Sequence, residues 1–373
     1  MTAQAARAPA AGAAVTARGP DGLVFEARIE LGGFLLDAGF SVGPKERVAL
    51  VGPSGAGKST VLHLVAGLLR ADRARITLAG QTLCDTARAV DLPPHARRVG
   101  LVFQDGALFP HLSVRDNVAY GARARGGRAA EVRATVERWL ERLHLVELAA
   151  RRPAQLSGGQ RQRVGLARAI VSGARVLLLD EPFGSLDVLT RDAVRAELRA
   201  FLDEVGLPTL TVTHDAVDAR VFGDRLVVLD HGRVVQEGRW EDLAAEPRGA
   251  FAAELAGLNL YRVALARGSG LREARVGGVA LHVLAEGLAG EVYVAFAPGE
   301  VALSRERPAG SPQNVLRARV TTLLPMSDRV RIRLDAGIPI TAEVTREALA
   351  RLGLEPGVEA WASVKATAIR VYP

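Results

Sequence analysis

With 373 residues, 49% of them hydrophobic and 24% charged, the chain has room for two or three domains with cores of their own and reads as a soluble globular protein. A single cysteine, Cys84, excludes an intrachain disulfide, and no apolar run approaches the roughly 18 residues that a membrane-crossing helix needs. The net charge of +7 points to anionic partners, but aromatic residues make up only 5% and no basic stripe is interleaved with them, which argues against nucleic acid.

Residues 1–22 are rich in Ala, Pro and Gly and lack a compact aliphatic core, so they are expected to be a disordered leader rather than a signal peptide. From Leu23 to about Pro44 the alternation predicts antiparallel strands. VALVG (Val48–Gly52) reads as a short buried strand, and STVLHLVAGLL after it has helical periodicity. The stretch from Arg123 to Pro153 reads as helices. VLLLD (Val176–Asp180) and LTVTH (Leu210–His214) are two further buried strands. Strands alternating with helices argue for a parallel α/β sheet. After about Leu258 the texture changes: EVYVAF, VALS, RVRIRL and EAWASV are separated by Gly, Pro and Asp turns, as in a small all-β barrel. The expected domains are 23–254, α/β, and 255–373, β, with a core at 311–373.

GPSGAGKST (Gly52–Thr60) lies between a strand and a helix, the context a phosphate-binding loop requires. Gly52, Gly55 and Gly57 let backbone N–H groups point at phosphate oxygens, and the helix start adds partial positive charge. Lys58 is placed to reach the β- and γ-phosphates, and the Ser59 hydroxyl to bind Mg²⁺. Pro53, Ser54, Ala56 and Thr60 complete the loop. In VLLLDEP, Asp180 emerges at the carboxyl end of a buried strand, suited to Mg²⁺, and Glu181 is placed to polarise an attacking water. LSGGQ (Leu156–Gln160) opens a basic helix and forms a second anion cradle. One nucleotide needs only one, so a second makes sense if each nucleotide is sandwiched between two copies of the chain.

On these motifs the segment from about Leu23 to Leu243 resembles the ATP-binding cassette (ABC) ATPases: P-loop NTPases of α/β fold with a helical subdomain. The resemblance implies ATP and Mg²⁺ as cofactors, a homodimer, and a membrane permease above it. It implies that Gln104 contacts Mg²⁺ and the attacking water, and that Ser157, Gly158, Gly159 and Gln160 reach the γ-phosphate across the dimer. Ser185, Leu186 and Asp187 would link the two sites. His214 would orient the γ-phosphate, and Phe34 would stack on adenine, although a core role fits Phe34 equally.

The tail, with SPQNVL (Ser311–Leu316) opening and VKATA (Val364–Ala368) closing a β-rich unit, resembles the OB-like barrel on the ATPases of molybdate importers. That implies a tetrahedral oxyanion held by Ser311, Asn314, Lys365 and Thr367. Lys365 is one of only three lysines among 48 basic residues, a compact point charge where the chain otherwise uses arginine. The opening turn departs from the family at Pro312, which removes an N–H, and at Gln313, where the family has arginine. The implied function is the ATPase of a molybdate importer, peripheral on the cytoplasmic membrane face and fed indirectly by a periplasmic oxyanion-binding protein. Importers of sulfate, iron, polyamine or sugar are alternatives within the class, and an ABC ATPase outside transport is the alternative beyond it.

Overall fold

The computed structural model describes residues 22–184 and 188–373. The chain divides into two compact units, one running to Trp240 and one from Glu241 to Pro373. The break therefore falls ahead of the 254/255 boundary expected from sequence texture.

In the first unit β1 (Leu23–Leu31) and β2 (Phe34–Val42) form a hairpin, closed by Leu31 opposite Phe34. Gly32 and Gly33 supply the positive φ values, 54° and 87°, of a two-residue turn. β3 (Arg47–Val51) and α1 (Lys58–Ala66) follow, then β4 (Arg73–Leu78), β5 (Gln81–Asp85) and β6 (Val90–Asp91). An antiparallel sheet runs in the order β2-β1-β4-β5-β6. Next come β7 (Val99–Val102), α2 (Val114–Ala124), α3 (Ala129–Arg142), α4 (Gly158–Val171), β8 (Val176–Asp180), α5 (Val188–Val205), β9 (Thr209–Val212), α6 (Ala216–Phe222), β10 (Arg225–Asp230) and β11 (Arg233–Gly238).

The second sheet has the order β11-β10-β3-β9-β8-β7 and is parallel except for β11. Every residue of β3 and β9 is buried, the pattern of strands covered on both faces. Because β3, β9 and β8 are parallel neighbours, their carboxyl ends at Val51, Val212 and Asp180 emerge on one edge, where such sheets bind ligands. A helical layer of α2, α3 and α4 closes a second core around Val118, Val136, Leu140, Leu166, Leu198 and Phe201. Ser113, whose hydroxyl accepts from Asp116 N, caps α2.

The helical periodicity after Ser59 predicts a helix through Leu69, but α1 stops at Ala66. Gly67 takes φ 76°, and the N–H groups of Gly67 and Leu68 return to the carbonyls of Leu64 and His63. Arg97, only 1% exposed, seals this end. Its Nη1 donates to Leu64 O at 2.7 Å and Val65 O at 3.1 Å, and its Nη2 to Asp91. Arg97→Ala should strand these acceptors and destabilise the chain by about 1.5–3 kcal/mol, the scale of hydrogen bonds to a charged group. A urea midpoint equal to wild type would contradict that role.

The second unit holds α7 (Trp240–Ala245, from its second residue on), α8 (Ala250–Ala256), β12 (Asn259–Leu265), β13 (Leu271–Val276), β14 (Val279–Leu284), β15 (Gly290–Phe296), β16 (Ala302–Ser304), β17 (Asn314–Pro325), β18 (Arg329–Asp335), β19 (Pro339–Thr345), α9 (Arg346–Leu352), β20 (Glu359–Val364) and β21 (Arg370–Tyr372). A five-stranded antiparallel sheet, β16-β20-β17-β18-β19, carries most of it beside the smaller sheets β12-β15-β21 and β13-β14. One apolar core runs through Val263, Leu281, Val294, Ile332 and Ala362. The early part of this unit belongs to it through the last strand: Arg370 donates to Ala245 O and Tyr372 OH to Pro247 O.

Candidate functional site

β3 delivers the chain to Gly52, packed so closely that a Cβ there would lie 2.0 Å from the Leu229 carbonyl oxygen. Gly55 and Gly57 take φ values of 80° and 101°, and Gly57 starts α1 without a side-chain cap, so the first N–H groups of the helix remain available. Lys58 is 8% exposed, and its Nζ donates to Gly52 O at 2.7 Å and Pro53 O at 2.9 Å. Burial pushes its pKa below the ordinary lysine value, while Glu181 and Asp180 pull it back up. Ala56 is buried, Pro53 and Thr60 half-buried, and Ser54 and Ser59 exposed. The Phe34 ring lies over Gly57: a Cβ there would come within 2.9 Å of it. Phe34 is thus beside the loop while packing on the edge of the core.

The two carboxylates follow on the same edge. Asp180 ends β8 and bonds to the Ser59 side chain; burial raises its pKa, and neighbouring Glu181 raises it further. Glu181 is a non-glycine residue at φ 43°, held by its N–H to Val212 O and by Gly184 N–H to its own carbonyl. Left-handed backbone of this kind persists only where the surroundings impose it. It brings Glu181 Oε1 to 3.1 Å from His214 Nδ1, two residues past the end of β9. Gln104 reaches the same turn, since a Cβ on Gly184 would lie 2.5 Å from its Nε2. The edge therefore gathers the loop, Ser59, Asp180, Glu181, His214 and Gln104. His63 also acts on Asp180, favouring its ionised form. Its signal was present in the sequence: His63 stands four residues after Ser59, on the same face of α1.

Among the described residues no group of three or more His, Cys, Asp or Glu gathers as it would around a fully protein-bound metal. One hydroxyl beside one carboxylate fits Mg²⁺ instead, an ion that completes its shell with phosphate oxygens and water.

The second cradle is a capped helix start. Ser157 Oγ accepts from Gln160 N, and Gln160 Oε1 accepts from Ser157 N at 2.9 Å. The Gln160 side-chain oxygen is thereby committed within the turn, whereas Ser157 is exposed and Gly158 half-buried, with Gly159 buried behind them. Among the described residues this turn makes no hydrogen bond to the Gly52–Thr60 loop or to Glu181 and His214. Ser185, Leu186 and Asp187 lie outside the described residues, as do 1–21 of the expected leader.

In the second unit the four expected oxyanion residues differ in exposure. Asn314 is 1% exposed, its Oδ1 accepts from His282 N, and its Nδ2 donates to His282 O at 2.9 Å and Val364 O at 3.2 Å. Both its side-chain N–H bonds thus go to backbone, stapling β14 to β20. Ser311 is exposed, Lys365 is the exposed residue starting the turn Ala366–Ala368, and Thr367 is exposed within it.

Comparison with known proteins gives two family matches, "ABC transporter" over residues 35–184 and "TOBE domain" over 310–371. The chain is 39% identical to the molybdenum import ATP-binding protein ModC of Mycobacterium tuberculosis, covering 91% of this chain and 94% of that protein. It is 35% identical to the molybdate/tungstate import ATP-binding protein WtpC of Pyrococcus horikoshii, covering 91% and 96%. It is also 40% identical to a sulfate/thiosulfate import ATP-binding protein, CysA 1 of Chromobacterium violaceum, covering 88% and 90%.

Proposed function

The chain belongs to the ATP-binding subunits of ABC importers, and from that premise we propose that it couples ATP hydrolysis to molybdate uptake through a membrane permease. It is an ATPase of P-loop α/β fold with a helical layer, followed by a small all-β OB-like unit. The observation that carries the cargo reading is that relatives from two distant organisms, matched along almost their whole length, are both import ATP-binding proteins for molybdenum or molybdate/tungstate. The molybdenum and molybdate/tungstate relatives match nine-tenths of the chain, which cannot be reached without most of the second unit as well as the first.

In the reading we favour, the phosphates lie on the N–H groups of Gly52–Thr60, and Lys58 leaves the Gly52 and Pro53 carbonyls for the β- and γ-phosphate oxygens. Phe34, beside the loop, offers a face to the adenine. Ser59 and Asp180 would hold Mg²⁺, which when bound neutralises phosphate charge. Glu181 takes a proton from a water whose oxygen bonds to the γ-phosphorus as the bond to the β-phosphate oxygen breaks. Beside it, His214 and Gln104 orient water and phosphate. The exposed Ser157 turn of a second chain would close over the γ-phosphate, with Asp187 in the connection between sites. Closure and opening of this homodimer would drive a permease at the cytoplasmic membrane face, supplied by a periplasmic oxyanion-binding protein. No helix among the described residues is long and apolar enough to cross a membrane itself. On the second unit Ser311, Lys365 and Thr367 remain candidate contacts for a regulatory oxyanion.

A sulfate cargo is the second reading, favoured by the 40% identity to the sulfate/thiosulfate protein. Cells lacking the chain, grown on limiting molybdate, should lose most of their intracellular molybdenum while growing normally on sulfate. Unchanged molybdenum together with failed sulfate uptake would replace molybdate by sulfate.

A further inference from the structure

Arg195 lies on α5, away from the phosphate loop, yet it touches both segments that carry the reacting groups. Its side chain is buried, and Nε donates to Asp218 at 2.7 Å, Nη2 to Asp215 at 3.2 Å and Nη1 to Asp192 at 2.9 Å. Asp215 and Asp218 flank the start of α6, immediately after His214. Asp215 caps that helix by accepting from the N–H groups of Val217 and Asp218. Thr213 on the other side of His214 joins the same cluster: its hydroxyl bonds Asp218 and accepts from Asp215 N. Thus His214 projects from a turn tied to one guanidinium directly through Asp215 and Asp218 and, on the other side, through the bond of Thr213 to Asp218.

The other segment is held by the same group. The Arg195 guanidinium lies 5.9 Å from the centre of the Phe183 ring, and Phe183 stacks on Phe222 of α6 at 4.8 Å. Phe183 is fully buried and stands two residues after Glu181, inside the turn that imposes its left-handed backbone. A planar fork can serve three carboxylates and an aromatic face at once, which a lysine ammonium cannot.

We infer that Arg195 is a positioning residue for ATP hydrolysis: by clamping the His214 turn and the Phe183 ring together, it sets the Glu181–His214 distance at which the attacking water is held. Among the described residues its side chain bonds to three carboxylates and to no residue of the Gly52–Thr60 loop. The inference rests on the ATPase reading and adds to it a residue outside every nucleotide motif.

The test is the steady-state ATPase of the full chain carrying Arg195→Gln or Arg195→Lys, each alone and combined with His214→Ala. Arg195→Gln should lower kcat by about 10- to 10²-fold, the scale for residues that orient a reacting group, while leaving KM for ATP within about twofold. In the His214→Ala background the same substitution should cost little more, since the group it positions is gone. Independent effects would instead multiply to within about twofold. Arg195→Lys keeps a charge beside buried Asp218, so it decides the question by the same cycle if Arg195→Gln does not fold. An unchanged kcat in a folded variant, a loss confined to KM, or multiplying effects would overturn the assignment. Failure of the wild-type chain to hydrolyse ATP would overturn the ATPase reading instead.

Discussion

A Glu181→Gln chain is expected to bind ATP as wild type does and to hydrolyse it at least about 10²-fold more slowly, the usual contribution of a positioned base. Glutamine has the same shape, so it should keep the backbone at φ 43° and the contact to His214 at 3.1 Å. What it loses is a carboxylate that can accept a proton from water. Lys58, Ser59 and Asp180 are untouched, so nucleotide affinity should survive and unhydrolysed ATP should accumulate in the site. Sedimentation should then find the variant with ATP as a dimer, and phosphate release should find it almost silent. Near-normal phosphate release would remove Glu181 from this role and leave its strained backbone without a catalytic explanation.

The parts of this site legible in the sequence are those whose chemistry is written in contiguous residues. A loop that wraps phosphate needs glycines where side chains cannot fit, and Gly52 against Leu229 O and Gly57 against Phe34 are such places. The strands VALV and VLLL were readable because burial on both faces demands an unbroken apolar run. What could not be read depends on contacts between distant segments. The end of α1 at Gly67 is sealed by Arg97, thirty residues on. The helices after Trp240 look locally like a continuation of the cassette. Their hydrogen bonds to Arg370 and Tyr372, more than a hundred residues away, put them in the second unit. Asn314 is the clearest case. The resemblance implies an oxyanion donor there, but the direction of a side chain is not written in the sequence, and this amide turns inward to His282 and Val364. Arg195 escaped for the same reason: in a chain crowded with arginine, only its three carboxylate partners set it apart.

In the proposed homodimer one chain carries half of each nucleotide site. Lys58 is buried among the loop carbonyls with Asp180 and Glu181 nearby, whereas among the described residues the exposed Ser157 turn makes no hydrogen bond to that loop. Lys58→Ala should remove the charge that holds the β- and γ-phosphates, and Ser157→Arg should fill the cradle that closes over them. Each variant alone then puts a defect in both sites of its dimer and should be nearly inactive. A mixture of the two offers an exchange that symmetry makes specific. In a mixed dimer one site joins the intact loop of the Ser157→Arg chain to the intact Ser157 turn of the Lys58→Ala chain, and the other site receives both defects. If chains pair at random and one sound site turns over alone, an equal mixture should recover about a quarter of wild-type phosphate release. The measurement is that recovery, made on variants shown by sedimentation to form mixed dimers with ATP. Activity well above either variant alone is the result expected of a site shared between two chains. A mixture of proven mixed dimers no more active than its components would contradict it.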